Sequence, residues 1–403
     1  MTVHHRSWSF AALIAVLSML GPFSVDMYLP AFPAIGRDLD ASSIALQQTL
    51  SAYMFAFAFM MLWLGALSDA LGRRPVVLGS LVVYALASLG CAIAANIESL
   101  WLFRALQGMS AGAGVVIGRA IIRDRFEGAE AQRLMSQTTL VFGIAPAIGP
   151  VVGGVLLNAL GWRSIFWALV LFAVGVLAWS ARSLPESLPL ARRHTLHPRA
   201  LGRNYVSVLS RLDFLLLALI PAMNFSAFFL YIASAPSFLI ELLGVSSLGF
   251  GWLFVPMIAG IMLGASVSGR LAGRISPKRT IRLAYAIMIV GVLVNLLVCR
   301  FFDPHVAWNV LPIMIFTIGS SLAAPSITLL MLDLFPAIRG MASSLQGFLQ
   351  FAVGAFTAGT IAPFLGHSLA ALALGMAAFG AASLLIWLSY QRRARVLLRE
   401  WKS

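Results

Sequence analysis

Apolar runs of about 20 residues follow one another along almost the whole chain, and each is long enough for an α-helix to cross a bilayer. A chain with 60% hydrophobic and only 10% charged residues is not a soluble enzyme, since soluble domains carry about 25% charged residues. The pattern predicts an all-α membrane protein with twelve transmembrane helices. The predicted spans lie near residues 8–33, 44–67, 75–95, 99–121, 134–157, 162–181, 213–238, 248–270, 280–301, 307–332, 340–364 and 368–390.

The charge distribution predicts the orientation of these spans. The net charge is +14, and 23 of the 28 Lys and Arg residues fall in cytosolic loops and tails if the first residues are cytosolic. The external loops then hold only Arg37, Arg163 and Arg300. Basic residues accumulate on the cytosolic side of membrane proteins, so both termini are expected in the cytosol of a multi-pass inner-membrane protein. Membrane topology thus explains the positive charge, and nucleic acid is not an expected partner.

The domain organisation follows from a weak internal repeat. Residues 28–33 (YLPAFP) match residues 231–236 (YIASAP) at an offset of 203, with Tyr and Pro at equal spacing. Such similarity is typical of two parallel six-helix bundles with pseudo-symmetry. We expect an N-terminal bundle over 1–181, a basic cytosolic linker over 182–211, and a C-terminal bundle with a basic tail over 212–403.

Several sites that would indicate other functions are missing from the sequence. No Gly-Lys pair exists, so there is no phosphate-binding loop for direct use of ATP. All six histidines fall in predicted loops or tails, which leaves haem-binding or zinc-binding spans without support. The two cysteines, Cys91 and Cys299, lie in separate apolar runs and are interpreted as core residues. We expect no enzyme activity, no cofactor and no metal.

One acidic residue stands well inside a predicted span. Asp26 lies 18 residues beyond Trp8, and Arg104 on the fourth span reaches a similar depth. An ionisable group in hydrocarbon is costly and is by default a functional candidate, so we expect these two side chains to meet. Two interpretations are open: a carboxyl group that exchanges a proton when its partner moves, or a permanent ion pair that joins the two spans. If the carboxyl group exchanges protons, a single embedded acid predicts that one proton is exchanged at a time.

Four segments carry a resemblance to a known family. Gly65–Pro75 (GALSDALGRRP) has the Gly, Asp and paired Arg of the loop between spans two and three of the major facilitator superfamily. Leu100–Gly108 (LWLFRALQG) resembles its fourth-span motif, and Gly149–Gly154 (GPVVGG) partly resembles its antiporter motif, with Ala145 in place of the usual Gly. Asp26–Pro33 (DMYLPAFP) narrows the resemblance to the Bcr/CflA group of drug:H+ antiporters.

The resemblance implies proton-driven efflux and gives roles to several residues. It implies proton coupling at Asp26, with Arg104 as its partner. It implies a gating latch formed by Asp69, Arg73, Arg74, Gly65 and Gly72, with Asp69 near the start of span eleven and Asp124 as a partner for Arg73. Membrane topology alone is the alternative reading of Arg73 and Arg74. The antiporter bend that resists proton leak is assigned to Gly149, Pro150, Gly153 and Gly154.

The substrate is expected to be a lipophilic small molecule, bound by aromatic and polar residues of spans one, two, seven and eight. The predicted cavity residues are Tyr28, Tyr53, Phe57, Asn224, Phe228, Tyr231 and Phe254. Amphenicols, bicyclomycin, sulfonamides and a self-made metabolite all remain open, and the family implies a monomer. Two alternatives stand beside drug:H+ antiport: a symporter or facilitator for a small metabolite, and a membrane sensor that transports nothing.

Overall fold

The fold was analysed in a computed structural model, which describes residues 2–126, 128–193, 197–272, 274–335 and 338–400. These residues form helices joined by short loops, with no strand among them. Eleven of the helical segments are long and apolar enough to cross a membrane. Another helix, Gly128–Leu160, takes the place of the predicted fifth span, and its described apolar part is Ile144–Leu160. The expected all-α membrane fold is confirmed.

The chain divides into two compact units, of which the first comprises Met1–His197 together with Ser246–Gly251. Its long helical segments are α1 (Phe10–Asp38), α2 (Ser43–Leu71), α3 (Arg73–Ala92), α4 (Ile97–Arg125), α5 (Gly128–Leu160) and α6 (Arg163–Ser183). The helix of α1 itself begins at Thr2. Ser42 caps the start of α2, and Asn96 and Ser99 form a capping box at the start of α4, as their side chains favour.

The second unit comprises Pro198–Val245 and Trp252–Ser403. A short amphipathic helix, Pro198–Leu209, comes first and is called the linker helix below. The long segments are α7 (Leu212–Ala233), α8 (Ser247–Leu271), α9 (Pro277–Phe301), α10 (Val306–Leu332), α11 (Arg339–Leu365) and α12 (Leu369–Ala394). Of α8, the part from Trp252 onward belongs to this unit. The helix of α12 continues to Glu400. Of the predicted linker, residues 182–197 thus group with the first unit, and the linker helix groups with the second.

Three of the long segments are interrupted where the sequence weakens the helix. The α-helix of α1 ends at Asp26 and is followed by the 3-10 turn Leu29–Ala31 and the short helix Phe32–Asp38. In α4 the break falls at Gly112, and in α11 a π-helical turn covers Thr357–Ile361. Pro30 and Pro33 lack the backbone N–H that a continuous helix needs, which explains the break in α1.

Glycines of α4 allow it to pack closely against its neighbours. A Cβ atom at Gly108 would collide with the carbonyl oxygen of Tyr53 on α2, and one at Gly114 would collide with the carbonyl oxygen of Leu17 on α1. Small residues at helix contacts let backbones approach in membrane proteins, where water provides no driving force for association. The result is that α4 holds its polar residues directly against α1 and α2.

The helix pairings of the first unit recur in the second. In the first unit α3 packs on α4 and α6, and α1 packs on α5; in the second, α9 packs on α10 and α12, and α7 packs on α11. Each pair in the second unit stands six helices after its counterpart. The repeat seen in the sequence therefore corresponds to a repeated three-dimensional arrangement within each unit.

The surface of the helices is apolar over much of its area. Large hydrophobic side chains such as Leu86, with 61% exposure, and Leu171, with 72%, point away from the protein. Contiguous apolar surface on long helices requires lipid, since water would make it costly to expose. The protein is therefore a multi-pass membrane protein.

Candidate functional site

Asp26 is the only acidic residue among the buried side chains that the structure describes. Its side chain is 5% exposed and lies at the last α-helical residue of the first part of α1. It packs on α5, where a Cβ atom at Gly149 would lie 2.8 Å from the Cβ of Asp26. Within the described residues Asp26 takes part in no hydrogen bond and no ion pair. An enclosed carboxyl group without a partner is expensive unless it is protonated or finds a cation.

Arg104 is a fully buried cation in the middle of the first unit. Its Nη1 donates to the carbonyl oxygen of Ser24 at 2.8 Å and to Oε1 of Gln107 at 2.5 Å. The guanidinium carbon lies 4.6 Å from the ring centroid of Tyr28 and 4.4 Å from that of Tyr53, so cation–π attraction also stabilises the charge. Among the residues that the structure describes, its Nε and Nη2 have no acceptor.

A hydrogen-bond network extends from Arg104 to the neighbouring helices. Gln107 donates to Oγ of Ser88 on α3 at 2.8 Å, and the hydroxyls of Ser24 and Tyr84 lie 2.6 Å apart. The two tyrosines that flank Arg104 are also held: Tyr28 bonds to Thr49 at 2.7 Å, and Tyr53 donates to the carbonyl oxygen of Gly21 at 3.1 Å. Both rings are therefore fixed around the cation.

The expected ion pair between Asp26 and Arg104 is wrong for this structure, because the two side chains do not meet. Arg104 binds the backbone carbonyl oxygen of Ser24 and lies over the ring of Tyr28, whereas the Cβ of Asp26 lies against Gly149 on α5. The expectation rested on the depth of the two residues in the membrane. Depth does not report how a side chain is rotated about the helix axis.

The predicted bend in α5 lies directly against Asp26. Pro146 and Pro150 are inside the helix Gly128–Leu160, and Gly149 and Gly153 stand one turn apart on the face toward α1. A Cβ atom at Gly153 would lie 2.7 Å from the Cα of Met27. At Gly154 a Cβ would lie 2.7 Å from the carbonyl oxygen of Ser247, which belongs to the same unit. These glycines therefore set how closely the segment around Asp26 approaches α5.

The loop between α2 and α3 holds a charged cluster, named here the Arg73 cluster: Asp69, Arg73 and Asp124. Arg73 is 7% exposed, and its Nη1 lies 2.6 Å from Asp69 while its Nε lies 3.0 Å from Asp124 on α4. Nη1 also donates to Oγ of Ser68 at 2.6 Å. Two carboxylates thus bracket one guanidinium: Asp124 accepts a hydrogen bond from Nε, and Asp69, whose side chain is 44% exposed, forms an ion pair with Nη1. The predicted contact of Asp69 with the start of α11 stays a prediction.

The other residues of this loop have separate surroundings. Arg74 donates from Nη2 to the carbonyl oxygen of Ala181 at 2.7 Å. Gly72 has a φ of +101°, which L side chains rarely adopt, so a glycine is required there. Gly65 has no neighbouring heavy atom within 4 Å of the position of a Cβ, so close packing does not account for it.

Six of the seven predicted cavity residues are buried. Tyr28, Tyr231 and Phe254 are at most 1% exposed, and Phe228 is half-buried. The others, Tyr53, Phe57 and Asn224, are also buried. Asn295 donates to the hydroxyl of Tyr231 at 2.7 Å. Oδ1 of Asn224 is buried and has no donor in the described part of the chain. Contact of these residues with a substrate therefore requires a rearrangement of side chains or helices, and their role stays a prediction.

The structure adds nothing that resembles a metal or redox centre in the part of the chain it describes. No group of three or more His, Cys, Asp or Glu residues there could hold a metal ion. Cys91 is a free thiol buried in α3, and Cys299 is a half-buried free thiol in α9.

Sequence reasoning missed two groups of functional candidates. Gln107, Ser88 and Tyr84 surround Arg104 but were not singled out, although a Gln three residues after an Arg in an apolar span was a usable signal. Glu186 was classed with the loop acids. In the structure it accepts hydrogen bonds from the backbone N–H groups of Arg73 at 3.0 Å and Arg74 at 3.3 Å. Nothing local in the sequence indicates that contact, which spans more than 100 residues.

Comparison with known proteins agrees with this geometry. The family model described as Major Facilitator Superfamily matches residues 14–359. The chain is 28% identical to a bicyclomycin resistance protein homolog of Haemophilus influenzae over 90% of this chain and 91% of that protein. It is 32% identical to a chloramphenicol resistance protein of Pseudomonas aeruginosa over 72% of this chain and 70% of that protein.

A solved structure supports the fold independently of sequence. The D-xylose-proton symporter superposes with a TM-score of 0.71, covering 94% of this chain and 97% of that chain at 16% sequence identity. At such low identity the match concerns the fold alone. The helix pairings, the family model and the sequence relatives agree, and the chain therefore belongs to the major facilitator superfamily, within which its resemblance is to the Bcr/CflA type of drug exporter.

Proposed function

We propose that the protein exports lipophilic drugs or toxic metabolites in exchange for protons. The observation that carries the proposal is Asp26, a buried carboxyl group that has no hydrogen-bond or ion-pair partner among the described residues. A permanent structural carboxylate in hydrocarbon would be paired. A group that must gain and lose a proton during transport needs an environment that does not strongly stabilise either its protonated or its deprotonated form.

The proposed transport cycle uses two separate groups of the first unit, the carboxyl group of Asp26 and the guanidinium of Arg104. When Asp26 faces the cytosol it is deprotonated, and the substrate binds from the cytosol or the inner leaflet. When the site faces outward, Asp26 takes up a proton, substrate binding weakens and the substrate leaves. Arg104 keeps two donor nitrogens, Nε and Nη2, without acceptors among the described residues, and these are available to a carboxylate or to a polar substrate group after a rearrangement. The proton gradient sets the direction of transport.

The Arg73 cluster has a separate proposed role as the gate. A guanidinium bracketed by two carboxylates is stable only while α2, α3 and α4 hold their present positions, so the cluster can latch one state of the cycle. Arg74, Gly65 and Gly72 complete this latch. The α5 residues Gly149, Pro150, Gly153 and Gly154 are proposed to seal the site around Asp26 against proton leak.

The relatives support a drug-like substrate and a cytoplasmic-membrane location. Two of them are named for resistance to bicyclomycin and to chloramphenicol, so amphenicols and bicyclomycin are the first compounds to test, with sulfonamides as a third class. We propose that the protein works as a monomer in the inner membrane with both termini in the cytosol, as the distribution of Lys and Arg predicts.

The test is proton movement in proteoliposomes that contain a pH-sensitive dye. Amphenicols, bicyclomycin and lipophilic cations are added to wild-type protein and to Asp26→Asn. The matched control is Asp40→Asn, because Asp40 is an exposed acid with a φ of +47°, a backbone conformation that Asn tolerates. Substrate-dependent proton flux is expected in the wild type and in Asp40→Asn and is expected to be absent in Asp26→Asn.

Other outcomes would replace the proposal. Substrate movement without proton flux in the wild type would identify a facilitator and leave Asp26 with a binding role. Proton flux in the same direction as the substrate would identify a symporter. Absence of both, with correctly folded protein, would favour a membrane sensor that transports nothing.

A further inference from the structure

The first residues after α6 are bound to the start of α3 through one side chain. Glu186 accepts from the backbone N–H of Arg73 through Oε1 at 3.0 Å and from that of Arg74 through Oε2 at 3.3 Å. Its Oε1 also accepts from the N–H of Leu188 at 2.9 Å. Both carboxylate oxygens are therefore occupied by N–H groups that the first turn of a helix otherwise leaves unpaired.

The start of α3 has no cap of its own. Its N-cap residue is Gly72, which has no side chain to accept a hydrogen bond from the first turn. A Cβ atom at Gly72 would lie 2.5 Å from Oε2 of Glu186 and 2.6 Å from Nη2 of Arg193. Gly72 therefore has a second use beyond its positive φ: the space above it admits the carboxylate of Glu186.

The same segment also contacts the Arg73 cluster. Ser187, the next residue, donates from Oγ to Oδ2 of Asp124 at 2.9 Å, and Nε of Arg73 donates to that same oxygen at 3.0 Å. Arg193 pairs with Glu186 at 3.5 Å from the other side. Two consecutive residues thus hold Arg73 in place. Glu186 binds its backbone N–H, and Ser187 binds Asp124, the carboxylate that accepts from its side chain.

From these contacts we propose that Glu186 is a positioning residue for the gate, which fixes the first turn of α3 so that Arg73 stays between Asp69 and Asp124. A carboxylate at a helix N-terminus is favoured by the helix dipole as well as by its hydrogen bonds. Releasing Glu186 frees the N–H groups of Arg73 and Arg74 together with the loop that presents the guanidinium. The start of the linker is in this way a part of the latch.

The positioning itself does not depend on drug transport, whereas its effect on turnover rests on the proposed function. Hydrogen exchange measured by mass spectrometry in detergent or nanodiscs therefore comes first. In Glu186→Gln, which keeps the size but not the charge, we expect the amides of Arg73 and Arg74 to exchange roughly fivefold faster, the effect of losing a helix cap. Trypsin is expected to cleave faster after Arg193, since that residue loses its carboxylate partner.

The control is Glu98→Gln. Glu98 is also an acid in the first turn of a helix, α4, but no hydrogen bond or ion pair is seen for it among the described residues. Glu98→Gln is expected to leave exchange in α3 unchanged. If Glu186→Gln changes no more than this control does, Glu186 does not position α3 and the proposal is overturned.

A second variant tests the contact from the other side. Gly72→Ala places a Cβ where Oε2 of Glu186 lies, so it should displace the carboxylate and raise exchange in the first turn of α3 in the same way. In the double variant Gly72→Ala with Glu186→Gln, the two effects are expected to be less than additive, because either change alone already breaks the contact. Full additivity would mean that the two residues act independently, against the proposal.

Transport supplies the functional readout. With a substrate found in the proton-flux assay, Glu186→Gln should lower the maximal rate severalfold and leave KM unchanged, because Glu186 is bound to α3 and not to the substrate. Faster exchange with an unchanged maximal rate would leave Glu186 as a cap of α3 with no part in gating. Failure to find any transported substrate would count against the proposed function and not against the exchange result.

Discussion

Arg104 shows how a single charge is accommodated in an apolar unit without an ion pair. Its guanidinium is held by one backbone carbonyl, one amide oxygen and the faces of two tyrosine rings. Each of these acceptors is a dipole or a quadrupole, so the cation is stabilised without a carboxylate that would neutralise it permanently. The charge is thus not neutralised by a carboxylate in this structure.

The planar guanidinium should be irreplaceable at this position. Arg104→Lys keeps the charge but loses the flat stacking surface and cannot reach Ser24 and Gln107 in the same geometry. We expect the free energy of unfolding to fall by about 2 kcal/mol, because charged groups lose hydrogen bonds in a buried setting. Thermal unfolding in detergent measures this. Arg37→Lys, at an exposed arginine, is the control and should unfold like the wild type; equal stability of both variants would contradict the prediction.

The contact between α1 and α5 depends on the absence of side chains on one face of α5. Gly149 lies under the Cβ of Asp26, and Gly153 lies under Met27. Any added atom must push the end of the first α1 helix away from α5. The segment that carries Asp26 is therefore positioned by backbone packing, and the environment of the carboxyl group follows from that packing.

Gly153→Ala should disturb this contact. The new Cβ would collide with the carbonyl oxygen and Cα of Met27, so we expect a loss of about 1–3 kcal/mol of stability, typical of overpacking, together with reduced proton flux. The melting temperature in detergent and the dye assay measure the two effects. Gly175→Ala in α6 is the matched control, since no heavy atom lies within 4 Å of its Cβ position, and it should be neutral or slightly stabilising. Similar behaviour of the two variants would argue against close packing as the function of Gly153.

Across the whole molecule, the two repeats use equivalent tyrosines in different ways. Tyr28 and Tyr231 are 203 residues apart and both are buried, yet Tyr28 flanks a cation while Tyr231 accepts from the amide of Asn295. No acidic residue lies within the spans α8 to α12 as bounded above; the acids of this part of the sequence, Asp303, Asp333 and Glu400, lie outside them. The one buried acid that the structure describes, Asp26, is therefore in the first unit, whereas Tyr231 and Asn295 of the second unit are neutral hydrogen-bonding groups.

One coupling carboxyl group predicts how the membrane potential acts on transport. Exchange of one proton for one neutral molecule moves one positive charge inward per cycle, so a potential that is negative inside should drive export even without a pH difference. A potential of 100 mV is worth about 2.3 kcal/mol per charge, or roughly a fiftyfold difference in substrate ratio. Proteoliposomes with a potassium gradient and valinomycin measure the effect with a neutral amphenicol. If export of the amphenicol is the same with and without the membrane potential, the exchange is electroneutral or is not coupled to protons.

The sequence by itself determined the spans, the family and the identity of most chemically important residues. Hydropathy is a local property averaged over about 20 residues, so the long helices lie close to where they were predicted. The acid inside α1, the arginine inside α4 and the motif between α2 and α3 were also visible, because a charge or a glycine pattern stands out in an apolar chain.

Only the tertiary structure decided which groups meet. Hydropathy gives the depth of a residue but not the direction of its side chain, so Asp26 and Arg104 were placed at one depth although they face different neighbours. The capping of α3 by Glu186 was also invisible, since it joins residues more than 100 positions apart through a hydrogen bond to the backbone. Contacts of this kind depend on how helices are rotated and packed, which the pattern of a single helix does not contain.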